Sequence, residues 1–321
     1  MPSADNAILL LGAQRSGTTW LGKIFDSHPD VLYRHEPDHG RIPRRAMDAT
    51  LLRATLATWI DDRSQRAAAK RPFFRKSWQS APAFWLRGGL TALLAAGARL
   101  PLLGDRIAHL RVPDLGDREA PTVRAALKSI DWCDGVGAFA RLLPNSRTVA
   151  ILRHPCGQVA SVMRGNRQGR FSLREAGTDM PFEEALTLRF AAERGIDDAA
   201  FQALPDAAKY AWDWVRFNET ALRGLQSLPN ARIVVYEELC TRPAEIAREL
   251  LEFCGLDWNA QTEAFIAHST QHSGAAGYYA VFRDSIVAAE RWRTDMTAED
   301  QAAVRNVVGL SPLRQFWDDL G

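Results

Sequence analysis

The feature that most constrains this chain is an apolar run near its N-terminus that leads into a glycine-containing turn. Four consecutive aliphatic residues, Ile8 to Leu11, are followed by Gly12-Ala13-Gln14-Arg15-Ser16-Gly17-Thr18-Thr19-Trp20. This pattern predicts a buried strand, a tight turn and the first turn of a helix. Such a turn brings backbone N–H groups and a helix N-terminus to one point, where they can bind a phosphate.

The spacing of this turn nearly matches the Walker A pattern G-x-x-x-x-G-K-[ST], but the lysine is missing. Thr18 stands in its place, and the nearest cation is Arg15, three residues earlier. A strand-to-helix turn with incidental glycines is the alternative interpretation. The missing lysine, and the lack of an acidic residue at the end of the run Thr148–Leu152, argue against a magnesium-dependent NTPase.

Strand-like and helix-like segments alternate along most of the chain. This alternation predicts an α/β fold of P-loop type, with a parallel sheet of about five strands covered by helices on both faces. In such a sheet, ligands gather at the carboxyl ends of the strands. The predicted strands are Ile8–Leu11, Val31–Arg34, Val123–Leu127, Thr148–Leu152 and Arg232–Tyr236, and predicted helices are Thr18–Ser27, Gly135–Leu143, Gly157–Met163 and Pro243–Phe253.

Two long segments interrupt this alternation. Residues 43–121 are basic and predicted to be helical, and residues 166–205 are mixed in charge and suit a lid. Insertions of this kind usually cover a site and select the substrate. Since the chain contains no long flexible linker, we expect a single domain over residues 1–321, with both insertions on its substrate side.

Charge is distributed unevenly, although the net charge is only +2. Residues 41–111 contain 14 Arg and Lys against 4 Asp, which is a local excess of +10. Nucleic acid, an anionic acceptor or a membrane surface could each bind such a segment, and a solvated surface is the ordinary alternative.

Cysteine spacing and hydropathy exclude several classes of protein. The four cysteines form no C-x-x-C pair and no zinc-like spacing with histidine, so no metal site is expected. Strand-like sequence starts by Ile8, with no basic region and apolar region ahead of it, so no signal peptide is expected; the apolar window 84–103 contains Arg87 and Arg99. A spanning helix would have to bury both arginines, so we expect a cytoplasmic protein, whose oligomeric state the sequence leaves open.

A second polar cluster follows the fourth predicted strand. Arg153 stands directly after it, ahead of His154 and Pro155, and Ser161 lies about two turns into the next helix. A forked guanidinium and a hydroxyl in these places could hold a second phosphate. A surface arginine and a solvated serine are the alternative.

Together, the two clusters resemble the sulfotransferases that use 3′-phosphoadenosine 5′-phosphosulfate (PAPS). The shared residues are the loop Arg15-Ser16-Gly17-Thr18-Thr19 and the pair Arg153 and Ser161, at the family's spacing of eight. The resemblance covers most of the chain apart from the two insertions. It extends to Val235-Tyr236-Glu237-Glu238-Leu239 before a helix opened by proline, and to Arg283-Asp284-Ser285 with Trp292.

The resemblance implies a nucleotide site that needs no metal. Arg15 would hold the sulfate or 5′-phosphate oxygens, and backbone N–H groups from Ser16 to Thr19 would cradle the 5′-phosphate. Trp20 would stack on adenine, with a place in the core of the first helix as the alternative. The other residues implied in this site are Arg153, Ser161 and Tyr236, together with Arg283 and Ser285, which would close over the 3′-phosphate although the family's usual Arg-Lys-Gly is absent.

Besides Arg15, whose charge would also serve catalysis, the resemblance implies two catalytic positions. Lys128, after the third predicted strand, would stabilise the negative charge that sulfuryl transfer leaves on the bridging oxygen. The cytosolic branch of the family has a catalytic histidine two residues later, where this chain has Ile130. Tyrosylprotein and many carbohydrate sulfotransferases have a glutamate after the second strand, so Glu36 is the expected general base. A structural ion pair with an arginine is its alternative, and His35 and His39 are the fallback bases.

The implied activity is transfer of a sulfuryl group from PAPS to an acceptor hydroxyl, which releases adenosine 3′,5′-bisphosphate (PAP). A carbohydrate, a glycolipid or another amphiphile is the favoured acceptor, and a protein tyrosine or a small phenol or alcohol is the alternative. Residues 43–121 would make any peripheral membrane contact, and no nucleic-acid partner is expected. The rivals are a P-loop kinase or NTPase, which would prefer ATP with magnesium, and a nucleotide-binding protein without catalysis.

Overall fold

A five-stranded, all-parallel sheet forms the centre of the fold. The computed structural model describes residues 2–39, 48–98, 100, 104–118, 120, 122–168, 184–271 and 285–318. Its strands are β1 (Ile8–Leu11), β2 (Val31–His35), β3 (Arg124–Ser129), β4 (Arg147–Leu152) and β5 (Ala231–Val235). They follow the order β2-β3-β1-β4-β5, and every neighbouring pair is parallel. The predicted fold class is confirmed.

Helices flank this sheet. None of the described helices has both the length and the apolar composition that crossing a bilayer requires. In chain order they are α1 (Thr18–Ser27), α2 (Ala49–Ile60), α3 (Gln65–Ala68), α4 (Ala81–Gly97), α5 (Gly104–Ala108), α6 (Val136–Leu142), α7 (Pro155–Arg167), α8 (Glu184–Ala192), α9 (Asp198–Gln202), α10 (Asp206–Leu225), α11 (Tyr236–Thr241), α12 (Pro243–Phe253), α13 (Ala260–Gln271), α14 (Ser285–Glu290), α15 (Trp292–Asp295) and α16 (Ala298–Val308).

The central position of β1 in the sheet explains why its sequence contains no polar residue. Ile8 and Leu10 pack into the core cluster that contains residues of α1, α12 and α13. Leu9 and Leu11 point to the opposite face, into the cluster that contains residues of α2, α6 and α10. Since β1 is the central strand and both faces of the sheet are covered, all four residues are buried.

The structure shifts several predicted boundaries that concern the site. Lys128 lies inside β3 rather than after it, where it pairs with both neighbouring strands. Tyr236 begins α11 rather than ending β5. Helix α7 starts at Pro155, since proline's fixed φ suits the first helical turn, and it is longer than predicted.

Strand register brings the predicted site to one edge of the sheet. His35 of β2 lies beside Lys128 of β3, and Lys128 lies beside Leu10 of β1. The residue after β2, the end of β3 and the turn after β1 therefore meet at the carboxyl edge. The described parts of the two predicted insertions contain α2 to α5 and the helices α8 and α9. The single-domain organisation stays a prediction.

Candidate active site

Two closely packed glycines shape the turn between β1 and α1. Gly17 has φ of +94°, in the left-handed region, and a Cβ there would lie 2.6 Å from Cε2 of Tyr236. A Cβ on Gly12 would lie 2.6 Å from Cγ2 of Ile151 and 2.7 Å from Oγ of Ser16. Neither position has room for a side chain, so both glycines are needed for the path of the turn.

The turn presents the N-terminus of α1. Helix α1 begins at Thr18, directly after Gly17. The first N–H groups of any α-helix, here including Thr18 and Thr19, lack intrahelical acceptors, and they combine with the helix dipole to favour an anion. Ser16 differs from the prediction, because its N–H donates to the Ala13 carbonyl at 3.1 Å and its Oγ donates to the same oxygen at 2.6 Å, so its N–H is already bonded within the turn. The arrangement suits an anionic group bound by backbone rather than by a lysine side chain.

Two side chains of helix α7 hold the turn in place, one as a hydrogen-bond acceptor and one as a donor. Arg15, which has φ of +69°, donates through Nε to Oγ of Ser161 at 3.2 Å. Gln158 donates through Nε2 to the Gln14 carbonyl at 2.7 Å. The turn and the second polar cluster, which are far apart in the chain, are therefore in direct contact.

Arg153 lies directly behind the turn. Its Nη1 donates to the Arg15 carbonyl and its Nη2 to the Ala288 carbonyl of α14, each at 3.0 Å. The guanidinium also lies over the Tyr236 ring, 4.7 Å from its centroid. The Nε atom is buried and has no hydrogen-bond partner among the described residues. A buried cation with an unused donor is suited to bind an anion.

Trp20 is buried on the first turn of α1. Its Nε1 donates to Oγ of Ser269 at 3.1 Å, and its ring meets Tyr236 edge-on at 6.4 Å between centroids. These contacts are those of a core residue, and adenine stacking stays a prediction. Arg283 lies outside the described residues, and of Ser285 the structure describes the backbone at the start of α14.

The two predicted catalytic residues are in contact. Glu36 follows β2 with φ of +51°, and its N–H donates to the Lys128 carbonyl at 2.9 Å. Its Oε1 accepts from Nζ of Lys128, and its Oε2 lies 3.2 Å from Nη1 of Arg66 on α3. The side chain of Lys128 is only 2% exposed and that of Glu36 is 12% exposed. The carboxylate therefore lies between a buried ammonium and a more exposed guanidinium.

Opposing effects set the charge of this pair. Burial raises the pKa of Glu36, but Lys128 and Arg66 outweigh it and hold the pKa below its usual value. Burial lowers the pKa of Lys128, against the effect of Glu36. Glu36 is consequently ionised at neutral pH, so its carboxylate can accept a proton.

The fallback bases have different surroundings. Burial, together with the charge of Lys128, lowers the pKa of His35 well below its usual value. Its Nδ1 lies 2.9 Å from the Tyr33 hydroxyl, and its Nε2 lies 3.6 Å from Oε1 of Glu36. His39 contacts Asp131 at 3.3 Å, and that hydrogen bond raises its pKa. His35 therefore touches the expected base, whereas His39 binds another carboxylate.

The sequence alone did not indicate two cations that the fold brings to this site. Arg66 reaches Glu36 from α3, within the first predicted insertion. Burial, and then the nearby charge of Lys128, lower the pKa of Lys70, which follows α3. The only sequence signal for either residue was the basic composition of its segment, because no local spacing connects them to β2.

Other polar groups nearby complete the description. Asp38 is buried and accepts from Oγ of Ser129 at 2.5 Å, and burial raises its pKa to about 6. Among the described residues, no group of three His, Cys, Asp or Glu side chains is placed to hold a metal ion. The four cysteines are buried, and they form no disulfide among the described residues.

Comparisons with known proteins give one family and several distant structures. A family model described as "Sulfotransferase family" matches residues 7–260. No curated protein sequence matches the chain. The sulfotransferase domain from the curacin biosynthetic pathway is 14% identical, with 96% of this chain and 98% of that domain covered and a TM-score of 0.45.

Two further solved structures have a similar degree of likeness. Mouse sulfotransferase SULT7A1, complexed with PAP, is 13% identical, with 97% of this chain and 86% of that chain covered and a TM-score of 0.45. Sulfotransferase STF9 from Mycobacterium avium is 15% identical, with 98% and 77% covered and a TM-score of 0.42.

Proposed function

Because this chain belongs to the family of PAPS-dependent sulfotransferases, we propose that Glu36 is the general base that accepts the proton of an acceptor hydroxyl. The observation that carries the proposal is the contact between the Glu36 carboxylate and the Lys128 ammonium, at the edge of the sheet where the β1–α1 turn also lies. A proton acceptor and a cation for the leaving oxygen are the two groups that sulfuryl transfer needs there.

The residues around the β1–α1 turn fit a donor with two separate anionic groups. We assign one group to Arg15 and to the backbone N–H groups from Gly17 to Thr19, at the N-terminus of α1. The second group belongs to Arg153 and Ser161, since the buried Nε of Arg153 offers an unused donor. Trp20, Tyr236, Arg283 and Ser285 complete the proposed PAPS site.

The proposed mechanism divides the work between two side chains. Glu36 accepts the proton of the acceptor hydroxyl as that oxygen attacks sulfur, and the sulfur–oxygen bond to the donor phosphate breaks. Lys128 stabilises the negative charge that develops on the bridging oxygen, which leaves with PAP. As Lys128 turns from Glu36 toward that oxygen, the carboxylate loses a charge that lowers its pKa, so it becomes a stronger base at the required moment.

The proposed acceptor is a carbohydrate, a glycolipid or another amphiphile. A glutamate after the second strand favours these acceptors over small phenols and alcohols, and a protein tyrosine remains the alternative. Arg66 and Lys70 add cations beside Glu36, which suits an acceptor that carries negative charge. A cytoplasmic location stays a prediction.

Calorimetric titration with PAP tests the donor site first. We expect tight binding that persists in the presence of EDTA, and weak binding of ADP with magnesium. Adenosine 5′-monophosphate is the matched control ligand, because it lacks the 3′-phosphate assigned to Arg153 and Ser161, and it should bind more weakly. A preference for ADP with magnesium would contradict the proposal and favour a kinase or NTPase.

A further inference from the structure

Helix α4 turns an apolar face to solvent. Its exposed positions carry no charged side chain, and their only polar side-chain atom is the indole nitrogen of Trp85; the largest exposed residues are Trp85, Leu86 and Leu93, with exposed fractions of 74%, 57% and 70%. Five of the eleven exposed large hydrophobic residues in the described chain lie between residues 85 and 110. An exposed apolar helix face of this kind marks an interaction site.

The helix is oriented so that its one charged side chain points inward. Arg87 donates through Nη2 to the Ala68 carbonyl at 2.7 Å, and its guanidinium lies 5.2 Å from the centroid of the Phe73 ring. Thr91, one turn later, is buried. Only apolar residues are therefore left on the outer face, and this arrangement is the reverse of an ordinary surface helix.

The chain segment that contains this face is strongly basic. Residues 63–113 contain ten Arg and Lys and a single acidic residue, Asp105. Arg71, Arg75, Arg106 and Arg111 are exposed. An apolar face within a basic surface is the combination that binds anionic lipid headgroups together with the acyl region beneath them.

The helix with this apolar face is joined through hydrogen bonds to the part of the site that contains Glu36. Helix α4 is bound to the end of α3 through Arg87, and Gln65 of α3 donates to the Ile107 carbonyl of α5 at 2.6 Å. The same short helix α3 carries Arg66, which contacts Glu36. Helix α3 therefore contacts both α4 and the proposed general base, Glu36.

We propose that helices α4 and α5, with the exposed Arg111 after them, dock on a bilayer that contains anionic lipids, and that the acceptor is an amphiphile presented by that bilayer. The acceptor clause rests on the proposed function. A second copy of this chain is a poorer occupant, because symmetric pairing of this surface would bring two basic segments together. Helix α4 would lie in the plane of the interface, with Trp85 and Leu93 below the headgroups.

Vesicle co-sedimentation with the full chain tests this proposal. Vesicles of phosphatidylcholine with phosphatidylglycerol should bind at least about tenfold more tightly than pure phosphatidylcholine, and high salt should weaken this preference. The double variant Trp85→Ser/Leu93→Ser should lower the affinity for the anionic vesicles by about tenfold or more. The pair Arg106→Ser/Arg111→Ser should instead remove part of the preference for anionic lipid.

Leu310→Ser is the matched control, since Leu310 is as exposed as Leu93 but follows α16. It should leave vesicle binding unchanged, and PAP affinity should be unchanged in every variant. The proposal is overturned if the wild type binds neither kind of vesicle, or if the double variant binds the anionic vesicles as tightly as the wild type does. Light scattering that shows a dimer dissociated by the double variant, without vesicle binding, would replace the bilayer with a second copy.

The two proposals fail separately. Vesicle binding requires neither donor nor turnover, whereas PAP titration requires no lipid. Loss of vesicle binding with intact PAP binding would reject the membrane contact alone, and the opposite result would reject the proposed donor site alone.

Discussion

The donor side and the acceptor side of this site are built differently. The donor side is mostly one turn of eight residues, 12–19, whose backbone is fixed by two glycines and by hydrogen bonds with α7 and Arg153. The acceptor side takes Glu36 from the end of β2, Lys128 from β3 and Arg66 from α3. Backbone shape therefore governs the donor side, and the balance of charges governs the acceptor side. Substitutions on the donor side should change PAP affinity, and those on the acceptor side should change kcat.

Glu36→Gln should give the largest effect and separates the two regions most clearly. Loss of the proton acceptor is expected to lower kcat by about 10² to 10⁴. The affinity for PAP should stay nearly the same, because Glu36 is not part of the turn. Steady-state kinetics and titration with PAP measure the two quantities, and Glu249→Gln, an exposed position on α12, is the control. Normal turnover in Glu36→Gln would leave Glu36 with only a structural ion pair.

Arg153→Ala should give the opposite pattern. The variant loses charged hydrogen bonds to a phosphate, which is expected to weaken PAP binding by about 1.5–3 kcal/mol, or about tenfold to a hundredfold. At saturating PAPS, kcat should change much less. Arg153 also supports the turn through the Arg15 carbonyl, so Arg153→Lys serves as a milder second variant, with exposed Arg305→Ala as the control. Unchanged affinity in both Arg153 variants would refute the role assigned to this side chain.

Arg66→Gln should give the smallest effect and sharpens the comparison through pH. Arg66 helps to hold the pKa of Glu36 low, so its removal should raise that pKa. The acidic limb of the kcat profile should then move to higher pH, while the rate on the alkaline side stays almost constant. Arg71→Gln, an exposed change in the same segment, should leave the profile in place. A shift in the opposite direction would mean that Arg66 does not act on Glu36.

The sequence predicted the donor side better than the acceptor side for a physical reason. The turn after β1 is encoded by adjacent residues, and the bounds of β1 and α1 agree with those predicted. The contact between Glu36 and Lys128 depends on the pairing of β2 with β3, so sequence spacing alone does not reveal it. Only the family resemblance placed both residues in one site.

Residues that act through tertiary contacts were harder to find. Arg66 reaches Glu36 only because α3 folds over the end of β2, and the basic composition of its segment suggested a surface partner instead. Trp20 was predicted in the nucleotide site, but its side chain donates to Ser269 and so joins α1 to α13. No local sequence pattern indicates this contact. Contacts between residues that are far apart in the chain therefore could not be predicted from local sequence patterns.

Three non-glycine residues among those described have positive φ, and two of them are Arg15 and Glu36. Left-handed backbone at such residues costs roughly 1–3 kcal/mol. In a descendant released from selection for turnover, position 15 would drift toward glycine or asparagine, which relieve that cost. Position 36 would stay acidic for longer, because loss of its carboxylate leaves Lys128 buried without its ion pair. The order in which these two positions change would record how such a lineage lost its chemistry.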